Sequence, residues 1–406
     1  MRQPNSLAVT ALLTAMVALG PISTDLYLPS LPGLADEFDT GVDDVQLTLS
    51  VFLVGLAVAQ LVYGPMSDRF GRRPVLLLGL AIYVAASLAC MLSPSILMLI
   101  AARFVQAVGA CVGPVLGRAV VRDVHGREGA ARVLAYMSAA MALAPAIGPI
   151  VGGFIEQWFG WRVNFLALVA YGGLGFAIAW RILPETNKAP DPQATRFVRI
   201  LLGYRGFLGH RFYVGYVLCV AFSYSGIFAF ISGSSFVLQQ AVGLGPVAFG
   251  LCFAGVVVGY IIGTIVAGRL SHRLGIDRLI ALGAAVAVSG GALLLTLALL
   301  NVAPAGVAGA AAIVGPMLVF MAGVGLVLPN AIAGAIAPFP RAAGAASALL
   351  GFVQMTTAAA VGIAVAALYD GTAVPMTAAI ATVAVGVLLA FLLLVRSAPT
   401  SASPSA

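Results

Sequence analysis

The sequence predicts an all-α membrane protein, twelve transmembrane helices set as two pseudo-symmetric six-helix bundles. Three observations carry that expectation. Hydrophobic residues make up 61% of the 406 and charged residues only 9%, where a soluble domain carries roughly 25% charge. Apolar runs such as Leu7–Tyr27, Val75–Leu92 and Val374–Val395 are near the ~20 residues that cross ~30 Å of hydrocarbon. The stretch "GPMSDRFGRRPVLLLG" from Gly64 returns 204 residues later as "GRLSHRLGIDRLIALG" from Gly268, with Gly64/Gly268, Ser67/Ser271, Arg69/Arg273, Gly71/Gly275 and Gly79/Gly283 in register. Duplicated halves are a common plan for secondary transporters, whose substrate sits between them near mid-membrane.

In chain order the expected spans are 7–27, 45–66, 75–93, 97–120, 131–155, 162–181, 211–232, 247–268, 279–300, 306–329, 343–369 and 375–395. The first run has one Arg before it and no small-x-small cleavage site ahead of Asp25, so it reads as a membrane helix and not a signal peptide. Residues 1–182 are expected to form an N-terminal bundle and 211–396 a C-terminal one. Residues 183–210, polar, basic and Pro-containing, read as a cytoplasmic linker. The tail 397–406, "SAPTSASPSA", has the composition of a disordered segment.

An even number of spans places both termini on one side. All 21 Lys and Arg except Arg103 and Arg162 fall on that side. It also holds the acids Asp68, Asp123, Glu128, Glu185, Asp191 and Asp277, while the remaining acids, Asp25 included, lie toward the other face. The positive-inside rule then puts the termini in the cytoplasm of a bacterium, with the protein in its inner membrane. The net charge of +7 is thereby a record of topology and argues against a nucleic-acid partner. Trp158, Trp161 and Trp180 fall at span ends, where interfacial indoles belong. Cys90, Cys111, Cys219 and Cys252 lie in apolar segments without CxxC spacing and read as buried thiols. His125, His210 and His272 occupy separate loops and suggest no metal site. The chain has no cluster of catalytic polar residues and no GxxxxGK[ST], which argues against an enzyme and an ATP-driven pump. No cofactor is expected beyond a coupling proton.

Gly64-Pro-Met-Ser-Asp68-Arg69-Phe-Gly71-Arg72-Arg73 resembles the GxxxDRxGRR loop of the major facilitator superfamily. The resemblance implies the two-bundle fold and a gating latch made by Gly64, Asp68, Arg69, Gly71, Arg72 and Arg73. In physical terms Gly64 allows close helix approach and Gly71 a tight turn. Asp68 can face a helix N-terminus or an Arg such as Arg118 or Arg122. A plain positive-inside loop would explain the arginines but not Asp68 with two glycines in register. Arg103-Phe-Val-Gln106-Ala-Val-Gly109 resembles the family's fourth-helix motif. A guanidinium inside a span needs a partner. It serves proton coupling, or it is a structural Arg held by carbonyls, or it snorkels to the interface. "APAIGPIVGG", Ala144–Gly153, resembles the motif of drug/H+ antiporters through Gly148, Pro149, Gly152 and Gly153; packing through small residues operates there too. The second half has no counterpart near Phe352–Val353.

"STDLYLPSLP" (Ser23–Pro32), "LPET" (Leu183–Thr186), "FVLQ" (Phe236–Gln239) and "PRAAGAASAL" (Pro340–Leu349) look like the Bcr/CflA drug-resistance transporters, a likeness that covers nearly the whole chain. It implies proton-driven export of small, mostly neutral or amphipathic antimicrobials of the phenicol, bicyclomycin or sulfonamide kind. The alternative is export of an endogenous metabolite such as an amino acid or a sugar-like solute. Asp25 has two readings. It lies 18 residues after Leu7, about 27 Å along a helix, and Arg103 lies about 9 Å into its span. Both then sit in the outer half, Asp25 as the proton site and Arg103 tuning it. Or Asp25 ends the helix at the outer interface, before Pro29 and Pro32. No carboxylate occurs between Ala8 and Thr24, which argues against dedicated transport of large cations. A drug pocket between the halves is expected to draw on Tyr27, Gln60, Gln106, Met137, Met141, Phe222, Tyr224, Phe228, Phe230 and Gln354. The expected partners are a small-molecule drug and membrane lipid, with the chain acting as a monomer.

Overall fold

The computed structural model describes residues 7–187, 189–195, 204–300, 306–339 and 342–396; the side chains of 7, 125–132, 135, 136, 138–140 and 142 lie outside the description. The expected tail, residues 196–203 of the expected linker with Arg196, and Pro340 and Arg341 fall outside the described residues, as do the side chains of His125, Arg127, Glu128 and Arg132. Among the described residues the regular structure is helical throughout, without a strand.

The first helical path is broken into α1 (Leu7–Val17), α2 (Leu19–Asp25), a 3-10 turn (Leu28–Ser30) and α3 (Leu31–Glu37). There follow α4 (Val42–Phe70), α5 (Arg72–Met91), α6 (Ile96–Ala110), α7 (Val112–Phe159) and α8 (Trp161–Ile182). The second half holds α9 (Arg211–Phe236), which runs on as a π-helical turn (Val237–Ala241), then α10 (Pro246–Leu274), α11 (Ile276–Leu299), α12 (Val307–Ile336), α13 (Ala343–Ala367) and α14 (Val374–Ala390). Among the described residues ten helices are long and apolar enough to cross a membrane, or eleven when the pair 8–17 and 19–37, bent by 44°, counts as one. The expected span 131–155 lies in α7, outside that count, where many side chains are not described.

The contacts of α7 nevertheless fix its course. Gly113 packs on the Met16 carbonyl and Gly117 on Val17 and Leu13, so this part runs antiparallel to α1. Gly148 packs on Asp25 and Gly152 on Leu26, so the later part runs parallel to α2. A straight helix of 48 residues would be about 72 Å long. The segment therefore folds back on itself, and the Met137 methyl group comes to rest at Gly117.

Two sequence expectations change here. The first path was expected to end at Tyr27, yet it continues to Glu37. Pro29 and Pro32 each remove a backbone N–H, but the 3-10 turn absorbs that loss, and the fully buried Leu28, Leu31 and Leu34 hold the chain on course. Asp25 is thus 12 residues short of the end of α3, about 18 Å along the path, and only 2% exposed. It ends α2, but the helical path runs on beyond it through the 3-10 turn and α3. The indoles also divide. Trp158 and Trp180 are exposed, whereas Trp161 is buried because its Nε1–H donates to Glu37, which also pairs with Arg162.

The sequence echo is an echo in space. α4 and α10 each have 29 residues, and their bounds keep the 204-residue offset. The Ser67 and Ser271 hydroxyls bond the Gly64 and Gly268 carbonyls at 2.9 and 3.3 Å. Gly71 and Gly275 then stop the helices at φ +99° and +75°, a conformation glycine adopts without strain. We call the end that carries Arg69, Arg72 and Arg73 the basic end, and the opposite one, with Glu37, Asp43 and Asp44, the acidic end. Across the seam between the halves α4 packs on α13 and α7 on α10.

Candidate functional site

Arg103 stands on α6, is wholly buried, and faces into the first half. Its Nη1 donates to the Ser23 carbonyl (3.0 Å) and to Gln106 Oε1 (2.6 Å). Gln106 Nε2 donates in turn to Ser87 Oγ (2.8 Å), and Ser87 to the Tyr83 carbonyl (2.7 Å). The Tyr83 and Ser23 hydroxyls share a 2.7 Å hydrogen bond. Three rings surround the guanidinium carbon, Phe52 at 4.3 Å, Tyr27 at 4.9 Å and Phe165 at 5.9 Å. The side chain does not snorkel. It is held by a carbonyl, an amide and aromatic faces, a setting that favours a delocalised cation. Among the described residues no ion pair joins it to Asp25. Arg103 takes the Ser23 side of α2, and Asp25, two residues on, lies about 200° further round the helix.

Asp25 looks the other way, toward α7. Its Cβ abuts Gly148, and its Oδ2 is buried without a hydrogen-bond partner. The stretch Ala144–Gly153 serves two neighbours at once. Gly148 and Gly152 touch α2, where a Cβ on Gly152 would lie 2.0 Å from the Leu26 carbonyl oxygen. Pro149 and Gly153 touch α10, where a Cβ on Gly153 would lie 2.5 Å from the Pro246 carbonyl, and one on Gly250 2.5 Å from that of Pro149. Backbone meets backbone there, so nothing flexible can give way. Gly250→Leu is expected to wedge the halves apart at the acidic end and cut transport more than tenfold. Thiol labelling of a cysteine placed at Val247 reports the opening, and unchanged labelling would show that α10 shifts to accommodate the side chain.

The acidic end of the seam is closed by neutral groups. Ser232 Oγ donates to Gln46 Oε1 (2.8 Å), Ser235 Oγ to the Leu28 carbonyl (2.7 Å), and Gln239 Nε2 to the Pro29 carbonyl (3.1 Å). Pro32 explains one acceptor. Lacking an N–H, it cannot donate to the Leu28 carbonyl, which accepts the Leu31 N–H and has a lone pair left for Ser235. The π-helical turn carries Gln239. "STDLYLPSLP" and "FVLQ" are therefore two sides of one closure. One turn deeper, Ser50 Oγ of α4 and the Phe228 ring both border Gly362 of α13. Sequence reasoning missed Gln46, Ser50, Ser232 and Ser235. The signal was available in polar residues four apart, Gln46 and Ser50, inside an apolar run.

The expected pocket residues do not converge. Tyr27, bonded to Thr48 at 3.0 Å, and Gln106 belong to the Arg103 network inside the first half and not to the seam. Phe222 packs on Gly386 of α14, and Met137 on Gly117. Phe230 pairs with Phe253 at 5.5 Å. Phe228 and Gln60 do lie at the α4–α13 contact, Gln60 against Gly351. Tyr224, Met141 and Gln354 are half-buried.

At the basic end the loop is tied to the segment after α8. Asp68 pairs with Arg72 (2.6 Å), which reaches Asp123 (3.1 Å). The expected partners Arg118 and Arg122 are displaced because Arg72, one turn on, is closer. Glu185 accepts from the backbone N–H groups of Arg72 (2.9 Å) and Arg73 (3.0 Å), a carboxylate on the N-terminus of α5. Asn187 Nδ2 donates to the Asp68 carbonyl (2.9 Å), Arg69 to Thr195 (2.6 Å) and Arg73 to the Trp180 carbonyl (2.8 Å). Gly64 makes no close approach, with nothing within 4 Å of its Cβ position, whereas a Cβ on Gly71 would come within 2.6 Å of Glu185. Gly71→Ala is expected to cost about 1–3 kcal/mol in backbone strain and to undock residues 183–187. Trypsin cleavage after Lys188 in the detergent-solubilised protein should quicken several-fold. An unchanged rate would show that Glu185 does not hold this segment down.

The model of the Major Facilitator Superfamily matches residues 13–363. The bicyclomycin resistance protein homolog of Haemophilus influenzae is 31% identical over 360 residues, 88% of each chain. The chloramphenicol resistance protein of Pseudomonas aeruginosa is 33% identical over 295 residues, 71% of this chain and 68% of that one. The crystal structure of a D-xylose-proton symporter superposes with a TM-score of 0.76 over 97% of this chain and 98% of its own, at 16% identity, a likeness of fold.

Proposed function

The chain belongs to the major facilitator superfamily, a family of membrane transporters and not of enzymes, and from that premise we propose that it exports small uncharged or amphipathic antimicrobials in exchange for protons. The observation that carries the reading is Asp25, a buried carboxyl with an unpartnered oxygen on the first helical path, set against Gly148 of α7. A carboxyl so placed is expensive to ionise, and a solute that enters between the halves alters its surroundings. Proton and solute then alternate, and Arg103 acts on Asp25 only through α2, by fixing the Ser23 carbonyl. The likeness to proteins named for bicyclomycin and chloramphenicol resistance supports phenicols and bicyclomycin as the class to try first.

The basic end is assigned to the cytoplasm by the charge bias, so the described state is closed toward the outside and its opening step separates Ser232, Ser235 and Gln239 from the first half. The chain works as a monomer in a bacterial inner membrane, with the latch loop restraining the cytoplasmic side. A second reading, export of an endogenous polar metabolite, draws support from the neutral hydroxyls and amides of the seam. The test uses everted vesicles with an imposed, acidic-inside pH gradient and a panel of phenicols, bicyclomycin, sulfonamides, cationic dyes and amino acids. Release of lumenal protons by phenicols or bicyclomycin is the expected result. A response to amino acids alone would select the second reading, and a response to none would end the antiport assignment.

A further inference from the structure

We propose that Gln46, Ser50 and Ser232 form a solute subsite at the seam between the halves for uncharged groups that hydrogen-bond, amides and hydroxyls above all; the proposal rests on the export reading. All three side chains are wholly buried. Gln46 and Ser50 lie one turn apart on α4, about 6 and 12 Å from its start at Val42. Ser232 faces Gln46 from α9, and Phe228, one turn earlier on α9, lies beside Ser50 across Gly362. Two levels of the seam are thereby paired, each with one residue or more from either half.

The closed seam does not satisfy its own polar groups. Gln46 uses Oε1 to accept from Ser232, but its Nε2 has no partner, and neither does Ser50 Oγ. Each buried unpaired group is destabilising, and apolar residues of the same shape would avoid that cost. A contact selected only for closure has no use for spare donors. A contact that must also receive a solute does, because the solute repays them. When the halves part, the Ser232–Gln46 bond breaks and frees a carbonyl, two amide hydrogens and two hydroxyls along one strip. Phe228 lies beside that strip as an apolar wall, and Gly362, without a side chain, leaves room in front of Ser50. No charged residue stands among these five, so the strip offers nothing to a cation that it does not offer better to a neutral amide or alcohol.

The test has a binding arm and a transport arm. Purified protein in detergent is warmed with chloramphenicol, bicyclomycin, sulfamethoxazole, glucose or ethidium, and the unfolding midpoint is read for wild type, Ser50→Ala, Gln46→Asn and Gln46→Leu. The expected result is stabilisation of wild type by at least one neutral amide or alcohol, lost in Ser50→Ala and Gln46→Leu and partly kept in Gln46→Asn. In vesicles the same variants should raise the KM for that compound five- to tenfold with kcat within twofold. Stabilisation that survives in Ser50→Ala and Gln46→Leu would overturn the subsite, and so would no stabilisation of wild type by any neutral compound. An unchanged KM with a fallen kcat would also overturn it, making these residues a lock alone. Stabilisation that depends on Gln46 and Ser50 without proton-linked transport would fail the antiport reading and leave the subsite standing. Ser50→Ala removes one oxygen and keeps the helix, so loss of fold does not obscure the outcome.

Discussion

Asp25→Asn is expected to reduce substrate-evoked proton release in everted vesicles to background. The amide matches the carboxyl in shape but neither takes up nor gives up a proton, so one half of the exchange has no carrier. Solute binding and downhill solute exchange should persist, because Gly148, Gly152 and the Leu26 carbonyl still pack as before. Stability is expected to hold or rise. A carboxyl with an unpartnered buried oxygen becomes an amide of the same shape that cannot ionise, so no buried charge can form at any pH. Lost coupling in a protein at least as stable as wild type is the pattern of a functional group, not a structural one. Full proton-coupled export by the variant would place the proton elsewhere.

Arg103→Ala is expected to be the most damaging single change to the first half. It removes the donor to the Ser23 carbonyl and to Gln106 and leaves a void among Phe52, Tyr27 and Phe165. The Gln106 oxygen left without its donor costs about 1–3 kcal/mol, and the void adds to that. Thermal unfolding in detergent should show the loss directly. Arg103→Lys separates fold from function. Both hydrogen bonds leave one nitrogen, Nη1, so an ammonium keeps the charge and a donor but loses the planar face that lies against the rings. The lysine variant should fold and lose most export. Full export by it would show that the planar face has no part in transport.

Much of this protein was legible in its sequence. The apolar runs, the 204-residue echo and the sign of each loop's charge announced a duplicated bundle, since a chain in hydrocarbon must satisfy its backbone within helices. Glycine positions carried over equally well. Gly71 and Gly275 at positive φ, and Gly148, Gly152 and Gly153 against neighbouring backbones, do what small residues in such motifs permit. A single span's pattern specifies its helix and its depth because both depend on local geometry and hydropathy.

Partnership was another matter. Depth alone put Asp25 and Arg103 within reach of each other, yet Arg103 binds on the Ser23 side of α2 and Asp25 points to α7. Tyr27 and Gln106 looked suited to a pocket and instead line the cage around Arg103. Glu185, far from the loop in sequence, caps the helix that follows Gly71. Gln46 meets Ser232, 186 residues away. The sequence by itself determined which residues are helical, buried and apolar, because those properties belong to the local chain and its solvent. Only the tertiary structure decided which polar groups face one another. That choice depends on the rotation of each helix about its axis and on the broken path from Leu7 to Glu37, both set by packing against distant helices.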